Sequence, residues 1–273
     1  MAENKKRLDV TVFENGFVDS RAKAGALIMA GQVFVNGQKA LKAGQEVKLT
    51  DKIEVRGEKM PFVSRGGFKL DKAIKSFDIS LKNLICMDIG ASTGGFTDCM
   101  LQNGAEKVFA VDVGYGQLAW KLRTDERVVN MERTNFRYLT IDDIKDELDF
   151  ASVDVSFISL KIILPVLYNI MKSGAHAVCL IKPQFEAGKD KVGKKGVVRE
   201  LSTHKEVVKN ITDFAFNTGF SILGLSFSPI KGPEGNIEYL MYLKKCMDCK
   251  NFVFDKIDDL VELSHNSLNS EGE

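Results

Sequence analysis

Leu84-Ile85-Cys86-Met87-Asp88-Ile89-Gly90-Ala91-Ser92-Thr93-Gly94-Gly95-Phe96 joins a short apolar run to a glycine-rich turn. The run reads as a buried strand. Gly90, Gly94 and Gly95 let the backbone approach a ligand closely and start a helix without Cβ clashes. The turn is not GxGxxG, so the dinucleotide fingerprint is not met. Roughly 20 residues on, Val111-Asp112-Val113-Gly114 places an acid at the end of the next strand, where a carboxylate accepts the hydroxyls of a ribose. The plain alternative is a tight strand-to-helix turn with a capping acid. The spacing of Asp112 favours a nucleoside-bearing cofactor.

Outward from this turn, short apolar runs alternate with helical stretches. Lys69–Phe77 is helical, and Lys107–Val113, Phe150–Val155, Ala175–Ile181, Phe220–Ser226 and Glu238–Leu243 read as strands. Gly94–Asn103, Gln117–Arg123, Leu160–Met171 and Ser202–Thr218 read as helices between them. That alternation predicts a mostly parallel, doubly wound α/β sheet with ligands at the carboxyl ends of its strands. Trp120 is expected in the core or a pocket wall.

Four polar residues interrupt apolar or glycine-rich settings at element ends: Lys69 in SRGGFKL, Asp154 in SVDVSF, Lys182 in CLIKPQF and Glu238 in GNIEYL. Singly, each is a solvated charge at a strand end, although an unpaired acid in SVDVSF would be costly. Together they suggest a proton-abstracting methyl-transfer site in one pocket. A lysine acts as a base only when its ammonium is destabilised by burial or by a nearby positive charge.

Residues 1–57 differ in character. Leu8–Asn15 is helical, Ser20 is placed to cap a helix from Arg21 to Ala30, and Asn36-Gly37 marks a hairpin. Further strands at Val47–Leu49 and Ile53–Val55 complete a small ααβ module. Gly57–Arg65, with Pro61, reads as a linker, giving domains at 1–57 and 66–245 around a linker at 58–65. Residues 246–273 are expected to be an acidic, partly disordered tail.

The chain has 273 residues, 44% hydrophobic and 27% charged, with a net charge of +1, so a nucleic-acid partner must be met by local patches. Two stretches could supply them: Lys5, Lys6, Arg7, Arg21, Lys23, Lys39 and Lys42 in the first module, a charge run that taken alone is usually just surface, and Gly188–Arg199 after Lys182. The second, with Lys189, Lys191, Lys194, Lys195 and Arg199, is read as a phosphate-backbone contact in preference to a solvated loop. Five cysteines without a second CxxC or an HxxxH beside Cys246 and Cys249 imply a reduced, cytoplasmic protein with no metal. The start lacks the apolar stretch of a signal peptide, and no run is long enough to span a membrane, which weighs against membrane action.

The segments RLDV…DSRAKAGALIMAGQVFVNG, MDIGASTGGFTD, VDVGYGQLAWKLR, DVSFISL, IKPQFE and GVVR together resemble the TlyA family, often labelled hemolysin, over about residues 5–245. The family pairs a small α+β RNA-binding domain, first described in a ribosomal small-subunit protein, with an FtsJ-type, Rossmann-like methyltransferase domain. The resemblance implies S-adenosylmethionine-dependent 2′-O-methylation of cytidine in ribosomal RNA, with a catalytic tetrad at Lys69, Asp154, Lys182 and Glu238. It implies cofactor contacts among Asp88, Gly90, Ser92, Thr93, Gly94, Gly95, Phe96, Asp112, Val113 and Asp154. RNA contacts are expected at Arg7, Ser20, Arg21, Lys23, Lys42 and Arg65 besides the basic loop. Lys182 is expected either as the base or as an electrostatic aid to hydroxyl ionisation. A monomer acting on ribosomal subunits is expected. The competing readings are a non-catalytic ribosome-assembly factor, which would survive Lys182→Ala, and a membrane-lytic protein, which would empty liposomes.

Overall fold

The computed structural model describes residues 5–18, 20–29, 31–56 and 60–269. The chain divides into two compact units, Met1–Met60 and Pro61–Glu273. In the first, β1 (Lys5–Arg7) leads into α1 (Leu8–Glu14), α2 (Arg21–Met29), β2 (Val33–Val35), β3 (Gln38–Lys39), β4 (Glu46–Lys48) and β5 (Ile53–Val55). Leu8, Val12, Ala24, Ile28, Val33, Ala40 and Val47 form its small core. Asn36 and Gly37 both take positive φ, 49° and 81°, and pair β2 with β3 through a two-residue turn. Ser20 caps α2 by accepting from the Lys23 amide. β1, which pairs antiparallel with β4, has no apolar alternation to announce it. Ala30 and residues 57–59, to which the helix and linker readings extend, lie outside the described residues.

The second unit runs α3 (Gly67–Phe77), β6 (Ile85–Ile89), α4 (Gly95–Gln102), β7 (Lys107–Val111), α5 (Trp120–Arg123), β8 (Val128–Met131), β9 (Leu148–Val153) and α6 (Leu160–Ile170). It continues through β10 (Met171–Ile181), α7 (Pro183–Glu186), α8 (Leu201–Thr218), β11 (Phe220–Phe227), β12 (Tyr239–Lys245) and α9 (Ile257–Asn269). Its seven strands lie in the order β11-β12-β10-β9-β6-β7-β8. The five from β10 to β8 are parallel, and β12 and β11 are antiparallel to their neighbours. Alternate strand residues feed two cores. Met87, Ile89, Ala151, Val153, Cys179 and Met241 pack with α6, α8 and α9. Cys86, Val108, Phe150, Val178 and Leu240 pack with α3 and α4.

Three expectations fail. The tail is not loose as far as Asn269: Val253, Ile257, Val261 and Leu268 are buried in the core, and α9 packs on α8 and β11. Its acidic residues sit on a helix whose apolar residues recur at helical spacing. Residues 270–273 lie outside the described residues. Phe62 is buried against Leu70 and Phe96, so the second unit begins before Gly66 and absorbs the end of the expected linker. Trp120 is 77% exposed at the start of α5 and is neither core nor pocket wall.

Candidate active site

Strand order reverses between β6 and β9, so the loops after these strands diverge and leave a crevice at their carboxyl ends. Gly90, at φ +86°, follows β6; a Cβ there would lie 2.5 Å from the Asp154 carbonyl oxygen after β9. Only glycine lets these two strand ends approach so closely. Gly94 and Gly95 serve packing in the same way. Added Cβ atoms would strike Leu122 at 2.2 Å and Ser64 Oγ at 2.3 Å.

The sheet register brings the four expected polar residues together. Asp154 follows β9, Lys182 follows β10, and Glu238 precedes β12, whose Tyr239 pairs with Ile181. Because β12 runs antiparallel, its beginning meets the end of β10. α3 supplies Lys69 from across the crevice. Lys69 Nζ donates to Glu238 Oε2 at 2.6 Å and to Asp154 Oδ2 at 3.4 Å. Lys182 Nζ lies 2.5 Å from Asp154 Oδ1 and donates to Ser156 Oγ at 3.3 Å. The result is a charge-alternating chain, Glu238–Lys69–Asp154–Lys182. Lys69, Lys182 and Glu238 are buried, with Glu238 fully so.

Burial opposes the Lys69 ammonium, but Asp154 and Glu238 outweigh it and hold its pKa above the ordinary value. Burial likewise opposes the Asp154 carboxylate, and Lys182 and Lys69 reverse that and lower its pKa. Lys69 thus shares two carboxylates, whereas Lys182 ends the chain with one.

A cleft of about 480 Å³ opens over the tetrad, lined also by Ser64, Gly66, Phe96, Phe157, Gln184 and Asn236. A second, of about 740 Å³, shares Gly90, Ser92, Asp154, Ser156 and Phe157 with it and extends past Asp112, Val113, Gln117 and Asn135. Thr93 and Gly95 line the first cleft. Asp88 also lines the first cleft, and its carboxylate is held from within the fold. One oxygen accepts from the Thr97 amide and hydroxyl at 2.8 and 2.7 Å, and the other from Ser152 at 3.1 Å. Asp88 therefore anchors the start of α4 to β6, and burial pushes its pKa up to about 6 despite those donors. Asp112 accepts from the Ser92 and Gly114 amides, both at 2.7 Å, and so holds the glycine turn against the end of β7.

Sequence reasoning passed over Ser64, Ser156, Phe157, Gln184 and Asn236. Phe157, within DVSFISL, takes φ +62°, is 90% exposed and packs on Phe185 with centroids 5.0 Å apart. It stands where the two clefts meet. Gln184 Oε1 is buried in the first cleft without a hydrogen-bond partner. Of the basic loop, Lys195 lines the same cleft, Lys191 pairs with Glu206, and Lys189, Lys194 and Arg199 are exposed, as is Arg65. In the first unit Arg7, Arg21, Lys23 and Lys42 are exposed. Among the described residues no group of three or more His, Cys, Asp and Glu side chains could hold a metal, and no helix is long and apolar enough to cross a membrane.

Residues 62–245 match the model of the FtsJ-like methyltransferase. The chain belongs to the FtsJ-like methyltransferase family. Residues 6–53 of this FtsJ-like protein match the S4 domain. YqxC of Bacillus subtilis (strain 168) is 49% identical over 272 residues, covering 98% of this chain and 97% of that protein. The 16S/23S rRNA (cytidine-2'-O)-methyltransferase TlyA of Mycobacterium tuberculosis (strain ATCC 25618 / H37Rv) is 42% identical over 245 residues, 89% of this chain and 91% of that one. A solved structure from Streptococcus thermophilus, whose name includes the word hemolysin, superposes with a TM-score of 0.79 at 47% identity, covering 99% of each chain. As an FtsJ-like enzyme the chain is an S-adenosylmethionine-dependent methyltransferase. The FtsJ-like unit fits that cofactor: the larger cleft ends at a carboxylate, and the smaller holds an unpartnered buried amide oxygen beside the tetrad.

Proposed function

We propose that this chain methylates the 2′-hydroxyl of cytidine in ribosomal RNA, in ribosomal subunits and in the cytoplasm, acting as a monomer. The observation that carries the reading is the buried chain Glu238–Lys69–Asp154–Lys182 opening onto a cleft continuous with the Asp112 crevice. TlyA of M. tuberculosis, named for this activity, matches both units. In this reading Gly90, Ser92, Asp112, Val113 and Gln117 hold the nucleoside of the cofactor, with each Asp112 oxygen keeping a lone pair for a ribose hydroxyl. Thr93, Gly95, Phe96 and Gln184 flank its amino-acid end. Bound S-adenosylmethionine supplies an activated methyl group on a sulfonium.

The protein's own task is alignment and proton removal. A ribose hydroxyl is a poor nucleophile, and fixing it in line contributes several orders of magnitude. Lys182, which lies at the end of the chain and faces the cleft with a single carboxylate neighbour, is the base in this reading. It takes the hydroxyl proton onto Nζ, and Asp154 stabilises the ammonium formed. Lys69 stays charged and holds Asp154 and Glu238 in register. Phe157 offers an aromatic face at the rim for an unstacked base, and the 2′-hydroxyl distinguishes RNA from DNA.

The test is methyl incorporation from labelled S-adenosylmethionine into isolated ribosomal subunits, with the modified position mapped by 2′-O-methyl sequencing. Label on a cytidine ribose supports the reading. Label on a base, or on protein, overturns it.

A further inference from the structure

The N-terminal unit contains a charge cluster that differs from an ordinary surface ion pair. Asp9, in the first turn of α1, is 6% exposed. Its carboxylate accepts from Arg7 Nε at 3.1 Å and Arg7 Nη2 at 3.0 Å, and from Arg21 Nε at 2.9 Å. The Val10 amide donates to the same group at 2.9 Å. Both arginine side chains remain more than half exposed, at 52% and 55%. The two come from different elements, β1 and the first turn of α2, and Asp9 is what they share.

Two features argue that the cluster is built for direction. Arg21 stands in the first turn of α2, which has no acidic residue there, and a cation at a helix start is unfavourable against the helix dipole. Asp9 offsets that cost from a neighbouring helix. The Arg7 guanidinium lies over Gly44, where an added Cβ would come within 3.2 Å of Nη1, so the arginine is laid flat on backbone. Arg7 meets Asp9 through two of its five N–H groups and Arg21 through one, leaving a fork on each for another anion. The guanidinium of Asp9-bound Arg7 also holds the Asp9 carboxyl down at about 2, so the anchor stays charged at any working pH.

We propose that Asp9 is a positioning residue that presents Arg7 and Arg21 as one preformed pair of forks to the phosphodiester backbone of the RNA substrate. The proposal rests on the reading that this chain acts on ribosomal RNA. Preorganisation removes the rotamer entropy that free arginines lose on binding. Its sign is opposite to that of simple electrostatics. Deleting a negative charge from a basic surface tightens RNA binding when charge alone matters.

The experiment is steady-state methylation of isolated ribosomal subunits by the full chain, with filter binding to the same subunits. Asp9→Asn is expected to raise KM and Kd roughly tenfold, with kcat at saturating subunits and cofactor affinity unchanged. Arg7→Lys with Arg21→Lys, which keeps charge and loses the forks, is expected to behave like Asp9→Asn. Asp9→Asn added to Arg7→Ala with Arg21→Ala is expected to change nothing further; an additional loss would show an unfolding effect and overturn the proposal. Unchanged or tighter binding by Asp9→Asn, while the double alanine variant binds weakly, overturns the proposal and leaves the RNA reading standing. If the double alanine variant binds like wild type, the arginines make no RNA contact and the proposal falls. If the wild-type chain neither binds nor methylates subunits, the RNA reading itself falls with it.

Discussion

Asp154 and Asp9 each gather two cations, yet the cations have opposite fates. Around Asp154, the side chains of Lys69 and Lys182 are only 10% and 8% exposed. Around Asp9 the guanidiniums stand half in water. Where cation and anion are both buried, each needs the other, because a lone charge out of water is costly. Where the cations are solvated, removing the anion leaves them content, and the pairing decides where they point. The first arrangement suits chemistry on a proton, the second suits docking.

The largest expected effect lies at the end of the buried chain. Lys182→Ala should lower kcat by about 10²–10⁴-fold, with KM for subunits nearly unchanged. Lys182→Arg sharpens the result, since a guanidinium holds charge but does not release a proton at working pH. An inactive arginine variant supports a base. Substantial activity would show that positive charge alone suffices, and would move the proton elsewhere.

Next is stability. Lys69→Met leaves Asp154 and Glu238 facing each other in the interior without their bridge, and should cost about 3–5 kcal/mol, read from the urea midpoint of the second unit. Asp9→Asn should cost the first unit about 1 kcal/mol or less, because its partners are solvated. Equal losses in the two units would erase the contrast between them.

The contrast extends to pH. The folded pKa of Asp88 is raised from 3.8 to about 6, chiefly by burial. Its contribution to stability is therefore fully present below about 3.8 and is lost as pH rises through about 6. Asp9 is shifted the other way, from 3.8 to about 2, by Arg7 above all. Its contribution is present above about 3.8 and fades as pH falls through about 2. Urea midpoints measured between pH 4 and 7 should show a slope in the second unit that Asp88→Asn flattens. A slope that survives the substitution would assign it to another group.

Much of this was legible in the chain. Strand and helix alternation follows from apolar runs and glycine turns, and the four tetrad residues were marked by being polar where their neighbours are not. What stayed hidden depends on contacts distant in sequence. Phe157 looks like one more apolar residue of DVSFISL, and only its positive φ at the cleft rim sets it apart. Asp88 reads as a ligand group, and its hydrogen bonds with Thr97 and Ser152, nine and 64 residues away, appear only in the fold. Trp120 is expected inside because tryptophan usually is, yet nothing in YGQLAWKLR says which side of α5 faces water. The tail reads as loose from its acidic, polar character, yet Ile257, Val261 and Leu268 recur at helical spacing and are buried on the core.

That tail carries the smallest prediction. Ser264 of α9 is buried, lies 3.2 Å from the Tyr239 hydroxyl and donates to the Val261 carbonyl. Tyr239 follows Glu238, and its hydroxyl also shares a 2.8 Å hydrogen bond with His204, whose other ring nitrogen meets the Val198 carbonyl of the basic loop. Ser264→Ala removes both contacts of the serine hydroxyl, while Tyr239 keeps its hydrogen bond with His204. The loss should be about 0.5–1.5 kcal/mol in urea unfolding, with kcat unchanged. A fall in kcat would mean that α9 reaches through Tyr239 to the placement of Glu238, and that the buried charge chain is braced from the tail as well as from the sheet.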